Sequence, residues 1–318
     1  MADLIPQLRQ TLPAVLQDAG EDASDRVIEF FTAEIRNPNT REAYARAVRR
    51  FFRWADKRQL HLSDVEPVHV AAYVEEDERA PATVKQNLAA LRRLFDFLVT
   101  GQVLEANPAE PVRSPKLQAD SGKTPALTAE EARELLDSIV EEKKELPQLR
   151  DRALIGVMTY TFARVSAVVG LDVGDYFRAG HRWKIRLREK GGQRRTVPVH
   201  HKAQEYLDAY IDATGIREER EAALFQSLKG RTGELTGKRL KADNVLQMVK
   251  RRAEEAGFDP AQVTCHTFRA TGITTYLEND GDLETAQHIA GHASANTTRI
   301  YDHRDQKVAQ EEIERVRI

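Results

Sequence analysis

Arg182-Trp-Lys-Ile-Arg-Leu-Arg-Glu-Lys-Gly-Gly-Gln-Arg-Arg-Thr-Val-Pro-Val199 decides the fold of the second half of this chain. Trp183, Ile185 and Leu187 alternate with Lys184, Arg186 and Arg188, the pattern of a strand with one apolar face and one basic face. Lys190-Gly191-Gly192 supplies a turn, and Thr196-Val197-Pro198-Val199 returns as the partner strand, led by Arg194 and Arg195. Lysine and arginine protect many small sheet edges from aggregation. Such edges ordinarily mix signs, and here only Glu189 does so, which suits contact with a phosphate backbone.

Outward from this hairpin the periodicity is helical. Downstream, 201–213 and 241–256 read as helices; upstream, 151–162 is an apolar helix that stops just before Arg164. Thr128-Ala-Glu-Glu131 has the spacing of a capping box and opens the second domain. In the first half, Thr40 can cap a helix to about Arg58, with Tyr44, Val48, Phe51, Phe52 and Ala55 on one face. Arg41, Arg46, Arg49, Arg50, Arg53, Lys57 and Arg58 occupy the rest of its surface, against Glu42 and Asp56. A helix over 82–100 carries Val84, Leu88, Leu91, Leu94, Phe95 and Leu98 toward a core, and Gly101 stands where a helix-ending glycine belongs. Residues 24–36 and 67–76 read as further helices. Pro108, Pro111, Pro115 and Pro125, with Ser121-Gly122-Lys123 among them, mark a linker. The expected organisation is an extension over 1–21, a helical domain over 22–110, a linker over 111–125 and a second domain over 126–318. The fold class is mainly α: a helical N-terminal domain, then an α+β domain with a small antiparallel sheet.

A chain of 318 residues has room for two such domains. Its net charge of −2 gives no global sign of a nucleic-acid partner, so the local basic faces carry that expectation. The single cysteine, Cys265, excludes an internal disulfide and fits a reducing compartment. No apolar run is long enough to span a membrane, and the first residues lack the pattern of a secretory signal, so a cytoplasmic protein without membrane contact is expected. A metal site is disfavoured: His288 and His292 are four apart with His303 nearby, but Ile289 stands where a zincin would carry its glutamate, and Cys265 has no matching pair.

The residues with chemical promise are weak signals singly. An arginine at a helix end, such as Arg164, is usually a C-terminal charge. His266 and Arg269 share one helix face, Gly291-His292 begins a short loop, and Tyr301 follows nine residues after His292. Their order is informative: Arg164, Lys190 on the hairpin turn, His266 with Arg269, His292, then Tyr301. This constellation resembles the tyrosine recombinase (phage integrase) family. Val263-Thr-Cys-His-Thr-Phe-Arg-Ala-Thr-Gly272 is similar to its second-arginine box, and Ile289-Ala-Gly-His-Ala-Ser-Ala-Asn-Thr-Thr-Arg-Ile-Tyr301 to its tyrosine box. The resemblance covers the whole second domain, and the first domain fits the family's helical core-binding domain more loosely.

The resemblance implies a site-specific recombinase that cuts and rejoins duplex DNA through a 3′-phosphotyrosine link, for integration, excision or resolution. Tyr301 would be the nucleophile and His266 the proton acceptor. Arg164 and Arg269 would clamp the non-bridging oxygens, since guanidinium groups suit a charged phosphodiester. Lys190 would protonate the departing 5′ oxygen, and His292 would hydrogen-bond the phosphate. The link stores the bond energy, so no cofactor, ATP or metal is needed, and the chain has no P-loop. The implied partners are double-stranded DNA with paired half-sites and a homotetramer on that DNA, with room for an accessory protein. Two domains gripping DNA as a clamp would place Arg41, Arg46, Arg49, Arg50 and Arg53, and Arg186, Arg188, Arg194 and Arg195, on phosphates. The segment 306–316, with Val308, Ile313 and Val316, could dock on a neighbouring subunit or fold back on its own. One departure stands out: the family commonly has an acid three positions after its first arginine, where this chain has Ala167. Tyr-Thr-Phe-Ala before Arg164 is also unusual where glycine and leucine are common. Two alternatives stay open, a type IB topoisomerase-like relaxing enzyme and a catalytically impaired DNA-binding accessory protein; strand exchange separates the first, and covalent linkage to DNA the second.

Overall fold

The computed structural model describes residues 13–18, 20–116, 125–141, 145–189, 192–230 and 233–302. The chain divides into two compact units, residues 1–119 and 120–318. The described part of the first unit contains helices α1 (Ala14–Asp18), α2 (Glu21–Glu29, continued by a wider turn over Phe30–Glu34), α3 (Pro38–Asp56), α4 (Pro67–Glu75) and α5 (Pro81–Thr100). Phe51 on α3 lies at the centre of their shared core, its ring centroid 5.2 Å from Phe52, 5.2 Å from Tyr73 and 5.9 Å from Phe95. Val15, Leu16 and Val112 are buried in the same core, so it draws on chain before Asp22 and after Glu110. Helix α3 begins earlier than Thr40. Asn37 caps it, its side chain accepting from the backbone N–H of Asn39 at 3.0 Å and Thr40 at 3.2 Å. Pro38 opens the first turn, where a missing N–H costs no hydrogen bond. Gly101 ends α5, but the left-handed turn falls on Gln102, at φ 60°.

The second unit runs α6 (Ala129–Glu141), α7 (Leu146–Thr161), α8 (Val165–Val169), β1 (Tyr176–Ala179), β2 (Arg182–Arg188), β3 (Arg194–Pro198), α9 (His201–Thr214), β4 (Gln226–Leu228), β5 (Leu235–Arg239), α10 (Ala242–Glu255), α11 (Cys265–Glu278), α12 (Leu283–Ala290) and α13 (Ala295–Arg299). The capping box forms: Glu131 N–H donates to Thr128 Oγ1 at 3.2 Å, and Thr128 N–H to Glu131 Oε2 at 2.7 Å. Helix α7 is buried from Ala153 through Thr159, as expected of a helix packed on all sides. Helix α11 crosses it at Gly272, where an added Cβ would lie 2.0 Å from Thr159 O. That approach brings the middle of α11, with Arg269, against the end of α7. The sheet is an antiparallel β1-β2-β3 meander, with Ile185 opposite Val197 and Arg188 opposite Arg194. Strand β1 and the separate β4-β5 pair were not apparent from the sequence.

Beneath the far end of α7 lies a buried ionic cluster. Asp151, fully buried, accepts from Arg150 Nη2 at 2.8 Å, Arg252 Nη2 at 2.8 Å and Arg251 Nη2 at 3.3 Å. Removing one partner of a buried pair strands the other charges in low dielectric. Asp151→Asn is therefore expected to lower unfolding stability by about 3–5 kcal/mol. Urea denaturation measures this, and a loss under about 1 kcal/mol, the range of exposed pairs, would show that the cluster adds nothing net.

Candidate active site

Tyr301 is fixed by the short elements just before it. Gly291 adopts φ 61° after α12, a left-handed conformation that glycine takes without strain and that turns the chain toward His292. Ser294 caps α13 by accepting from Asn296 N–H at 3.3 Å. Tyr301 N–H then donates to Thr298 O at 3.0 Å, and Thr274 Oγ1 donates to Tyr301 O at 3.4 Å. The Tyr301 ring, 8% exposed, packs in an apolar cluster with Phe162, Ala270, Ile273 and Ala290.

The hydroxyl of Tyr301 lies 2.7 Å from His266 Nε2. His266 is in the first turn of α11, whose cap is Thr264, and Arg269 stands one turn further on the same face. Partial desolvation, and then the positive charges of Arg269 and Arg164, hold the His266 imidazole below its usual 6.5. A neutral ring with its proton on Nδ1 can accept the phenolic proton through Nε2. Burial pushes the Tyr301 phenol up, while Arg269 and Arg164 draw it back. Tyr301 is thus protonated at neutral pH and needs a base, which is what its neighbour supplies. His292 is held by Thr298, Nδ1 to Oγ1 at 2.9 Å, with its ring nearly parallel to that of Tyr301. Burial, then Arg269 and Arg164, push its pKa down to about 4. With the threonine hydroxyl donating to Nδ1, Nε2 carries the proton and can donate to a phosphate oxygen.

Arg269 is almost wholly buried, 1% exposed, and is held by the ends of two helices. Its guanidinium donates to Phe162 O and, through Nη2, to Ala290 O at 2.8 Å. The last carbonyls of a helix lack partners within it and carry partial negative charge, so they suit a cation. Phe162 turns its carbonyl to Arg269 by taking φ 53°, a left-handed conformation rare for a non-glycine residue. The unusual Phe before Arg164 thus sits where glycine would be unstrained; its ring is anchored edge-on to Tyr276, 5.9 Å between centroids. Desolvation, then Arg164, push Arg269 down to about 10, and its Nε is buried without a hydrogen-bond partner. A cation so placed favours an arriving anion. Arg164 stands just before α8 and donates from Nη1 to Glu189 Oε2 at 2.8 Å.

Arg164, His266, Arg269, His292 and Tyr301 thus converge. Lys190 lies outside the described residues, as do His303 and the segment 306–316. On α3, Arg46, Arg49, Arg50 and Arg53 form an exposed stripe, while Arg41 is half-buried and donates to Ile35 O at 3.0 Å. The hairpin departs from expectation. Arg195 does not face outward: it donates from Nε to Glu189 Oε1 at 3.1 Å and from both Nη atoms to Thr161 O at 3.3 Å. Arg186 and Arg188 are drawn to Asp175 and Asp172, and Arg194 is exposed. Glu189, expected on the outer face, is buried between Arg164 and Arg195. Strand alternation held the signal: Leu187 and Val197 face inward, so Glu189 and Arg195, two positions on along each strand, share their side. Among the described residues, no group of three or more His, Cys, Asp or Glu side chains is placed to hold a metal ion. Nor does any described helix have the length and apolarity to cross a membrane.

His266 gives a direct prediction. The rate of strand cleavage on a nicked duplex should fall at acid pH as the imidazole becomes protonated, with the midpoint of that fall below 6.5. A cleavage profile whose acid limb is centred at or above 6.5, or is unchanged in His266→Gln, would rule out His266 as the base.

Residues 125–307 match the model of the phage integrase family, and residues 29–102 that of the phage integrase N-terminal SAM-like domain. Tyrosine recombinase XerC of Salmonella typhi is 33% identical over 226 residues, covering 71% of this chain and 70% of that protein. Among solved structures, the post-cleavage complex of XerH site-specific recombinase with palindromic difH substrate is similar at a TM-score of 0.69 and 20% identity, covering 98% of this chain and 93% of that one. A lambda integrase tetramer bound to a Holliday junction is similar at 0.65 and 20% identity, covering 85% and 76%. The two solved structures share the fold; the family model and XerC share the lineage. With its tyrosine, histidines and arginines gathered at one place, the chain belongs to the phage integrase family, the tyrosine recombinases, enzymes that cleave and rejoin DNA strands.

Proposed function

We propose that Tyr301 attacks the scissile phosphodiester of a duplex DNA site. The contact that carries this reading is the 2.7 Å approach of His266 Nε2 to the Tyr301 hydroxyl, beside Arg164 and Arg269. His266 takes the phenolic proton as the phenolic oxygen bonds to phosphorus. The bond from phosphorus to the 5′ oxygen breaks, leaving a 3′-phosphotyrosine and a 5′ hydroxyl. Arg164 and Arg269 hold the non-bridging oxygens where charge accumulates, and His292 Nε2 donates to the same phosphate. Lys190, the next residue after Glu189, is the proposed source of the proton for the 5′ oxygen. Attack by a 5′ hydroxyl from another duplex reverses the step and joins new partners. One phosphodiester is exchanged for another at each step, so the chemistry consumes no ATP.

The unit exchanging strands is proposed to be a homotetramer on two duplexes, each with paired half-sites. The likeness to a lambda integrase tetramer on a Holliday junction supports it. The exposed stripe of Arg46, Arg49, Arg50 and Arg53 is the proposed phosphate contact of the first unit. The protein acts wherever its target DNA lies, which we place in the cytoplasm, on the nucleoid.

The test begins with selection of a binding site from a random duplex library. A supercoiled plasmid carrying two copies is then incubated with the protein, quenched in detergent and analysed for protein-linked 3′ ends. Digestion and mass spectrometry should map the link to the peptide containing Tyr301, and intact plasmid should appear as deletion or inversion products. Relaxed circles without recombinants would favour a topoisomerase; tight binding without a covalent link would favour an accessory DNA-binding role.

A further inference from the structure

We infer that Glu189 is the positioning carboxylate of this site, holding Arg164 and Arg195 in one array through its two separate oxygens. The inference rests on the recombinase reading above. Glu189 Oε2 accepts from Arg164 Nη1 at 2.8 Å, and Oε1 from Arg195 Nε at 3.1 Å. Its side chain is only 5% exposed, so this is a desolvated group and not a surface pair. Arg195, 9% exposed, is anchored in turn on Thr161 O, the end of α7. An added Cβ at Gly291 would lie 3.2 Å from Arg195 Nε and 3.7 Å from Glu189 Cγ, so the end of α12 closes over the pair. Backbone bonds pin the hairpin beside it, Glu189 N–H donating to Gln193 O at 2.7 Å and Gly192 N–H to Glu189 O at 3.2 Å.

Arg164 needs such a partner. It is the most open of the three arginines, with 39% of its side chain exposed, and it lies near two other cations. A free arginine side chain has many rotamers, and ordering it at the moment of reaction would add to the barrier. The repulsion among Arg164, Arg195 and Arg269 would also drive it outward. Glu189 opposes both: it fixes one edge of the Arg164 guanidinium and leaves other N–H groups to meet phosphate. The position three after Arg164 cannot do this, because Ala167 offers only a buried methyl. The carboxylate that the family commonly places there is supplied in this chain from the hairpin. Glu189 touches no reacting atom; it acts through Arg164.

The test is a double-mutant cycle on cleavage of a nicked duplex, with DNA affinity and thermal unfolding measured alongside. Glu189→Gln keeps the shape and removes the charge. It is expected to slow covalent-adduct formation on the order of 10–100-fold, the scale of a misplaced catalytic group, with DNA affinity changed by less than about 3-fold. In an Arg164→Ala background the same substitution should cost less than about 3-fold, because the group it positions is gone. A merely structural role predicts the same loss in both backgrounds. Should Glu189→Gln fail to fold, Glu189→Asp serves in its place: it keeps the charge but shortens the reach, and its loss, expected to be smaller, should also vanish with Arg164→Ala. Full activity of Glu189→Gln, or equal losses with and without Arg164, overturns the inference. If the wild-type protein forms no adduct on DNA that it binds, the recombinase reading itself has failed.

Discussion

Tyr301→Phe is expected to bind its DNA as tightly as the wild-type protein and to form no covalent adduct. The substitution removes one hydroxyl and almost no volume. The ring stays in its cluster with Phe162, Ala270, Ile273 and Ala290, and the backbone bonds that hold it, to Thr298 O and from Thr274 Oγ1, are untouched. Stability should therefore change by less than about 1.5 kcal/mol, as for a volume-conserving swap. His266 loses its 2.7 Å partner but retains its exposed face and remains solvated. Chemistry is another matter. Without the phenolic oxygen no side chain bonds to phosphorus, and adduct formation should fall on the order of 10⁴-fold or more, the scale of removing a nucleophile. Native gel-shift of a labelled nicked duplex reads the binding, and detergent-quenched gels of the same mixtures read the adduct. An adduct persisting in Tyr301→Phe would mean that another residue is the nucleophile, and the roles of His266 and Arg269 would have to be reassigned.

How much of this was legible beforehand depends on the distance over which each feature is determined. The strands over 182–188 and 194–198 were readable because alternation is local and their turn glycines are explicit. Helices α3 and α5 were readable from their apolar stripes, with an error at the start of α3 because Asn37-Pro38 is a stronger opening than Thr40. Strands β1 and β5 escaped notice: they are four and five residues long, and Leu235-Thr-Gly-Lys-Arg239 is mostly exposed, so no buried face marks it. His266 and Tyr301 could be paired only through the order of motifs, since 35 residues separate them and no periodicity links α11 to α13. The cluster on Asp151 was invisible for the same reason, its partner Arg252 being 101 residues away. Glu189 and Arg195 were a different failure. The same alternation that revealed the hairpin puts them on its inward side, but charged residues are rarely buried unless paired, and their partners Arg164 and Thr161 O lie 25 and 34 residues away. Buried paired charge, at odds with the usual exposure of such residues, is where function tends to lie.

Arg269 carries the second large effect, and the choice of substitution decides what is learned. Arg269→Ala would leave Phe162 O and Ala290 O without the donor that now binds them, and would open a cavity in the wall of the site. Destabilisation of about 2–4 kcal/mol is expected from the stranded carbonyls and lost packing. A lost rate in that variant would mix chemistry with unfolding. Arg269→Lys separates them. An ammonium keeps the charge and can reach one carbonyl, but it lacks the planar fork that spans two helix ends and still presents N–H groups to a phosphate. Loss of one preorganised donor to a developing anion commonly costs on the order of 10²–10³-fold, and cleavage by Arg269→Lys should fall by that factor. DNA binding at fixed salt should fall by less than about 3-fold, because one buried cation among many surface contacts adds little to the counterion release that dominates affinity. A substrate with a methylphosphonate at the scissile position distinguishes positioning from charge neutralisation. That linkage carries no formal charge, so it needs less cationic stabilisation. If Arg269 acts mainly by charge on the transition state, the deficit of Arg269→Ala, which lacks that charge, should shrink on the neutral substrate, with both substrates given to the same protein sample so that any unfolded fraction cancels in the ratio. An undiminished deficit would mean that Arg269 works by holding Phe162 and Ala290 in place, and that the catalytic clamp rests on Arg164.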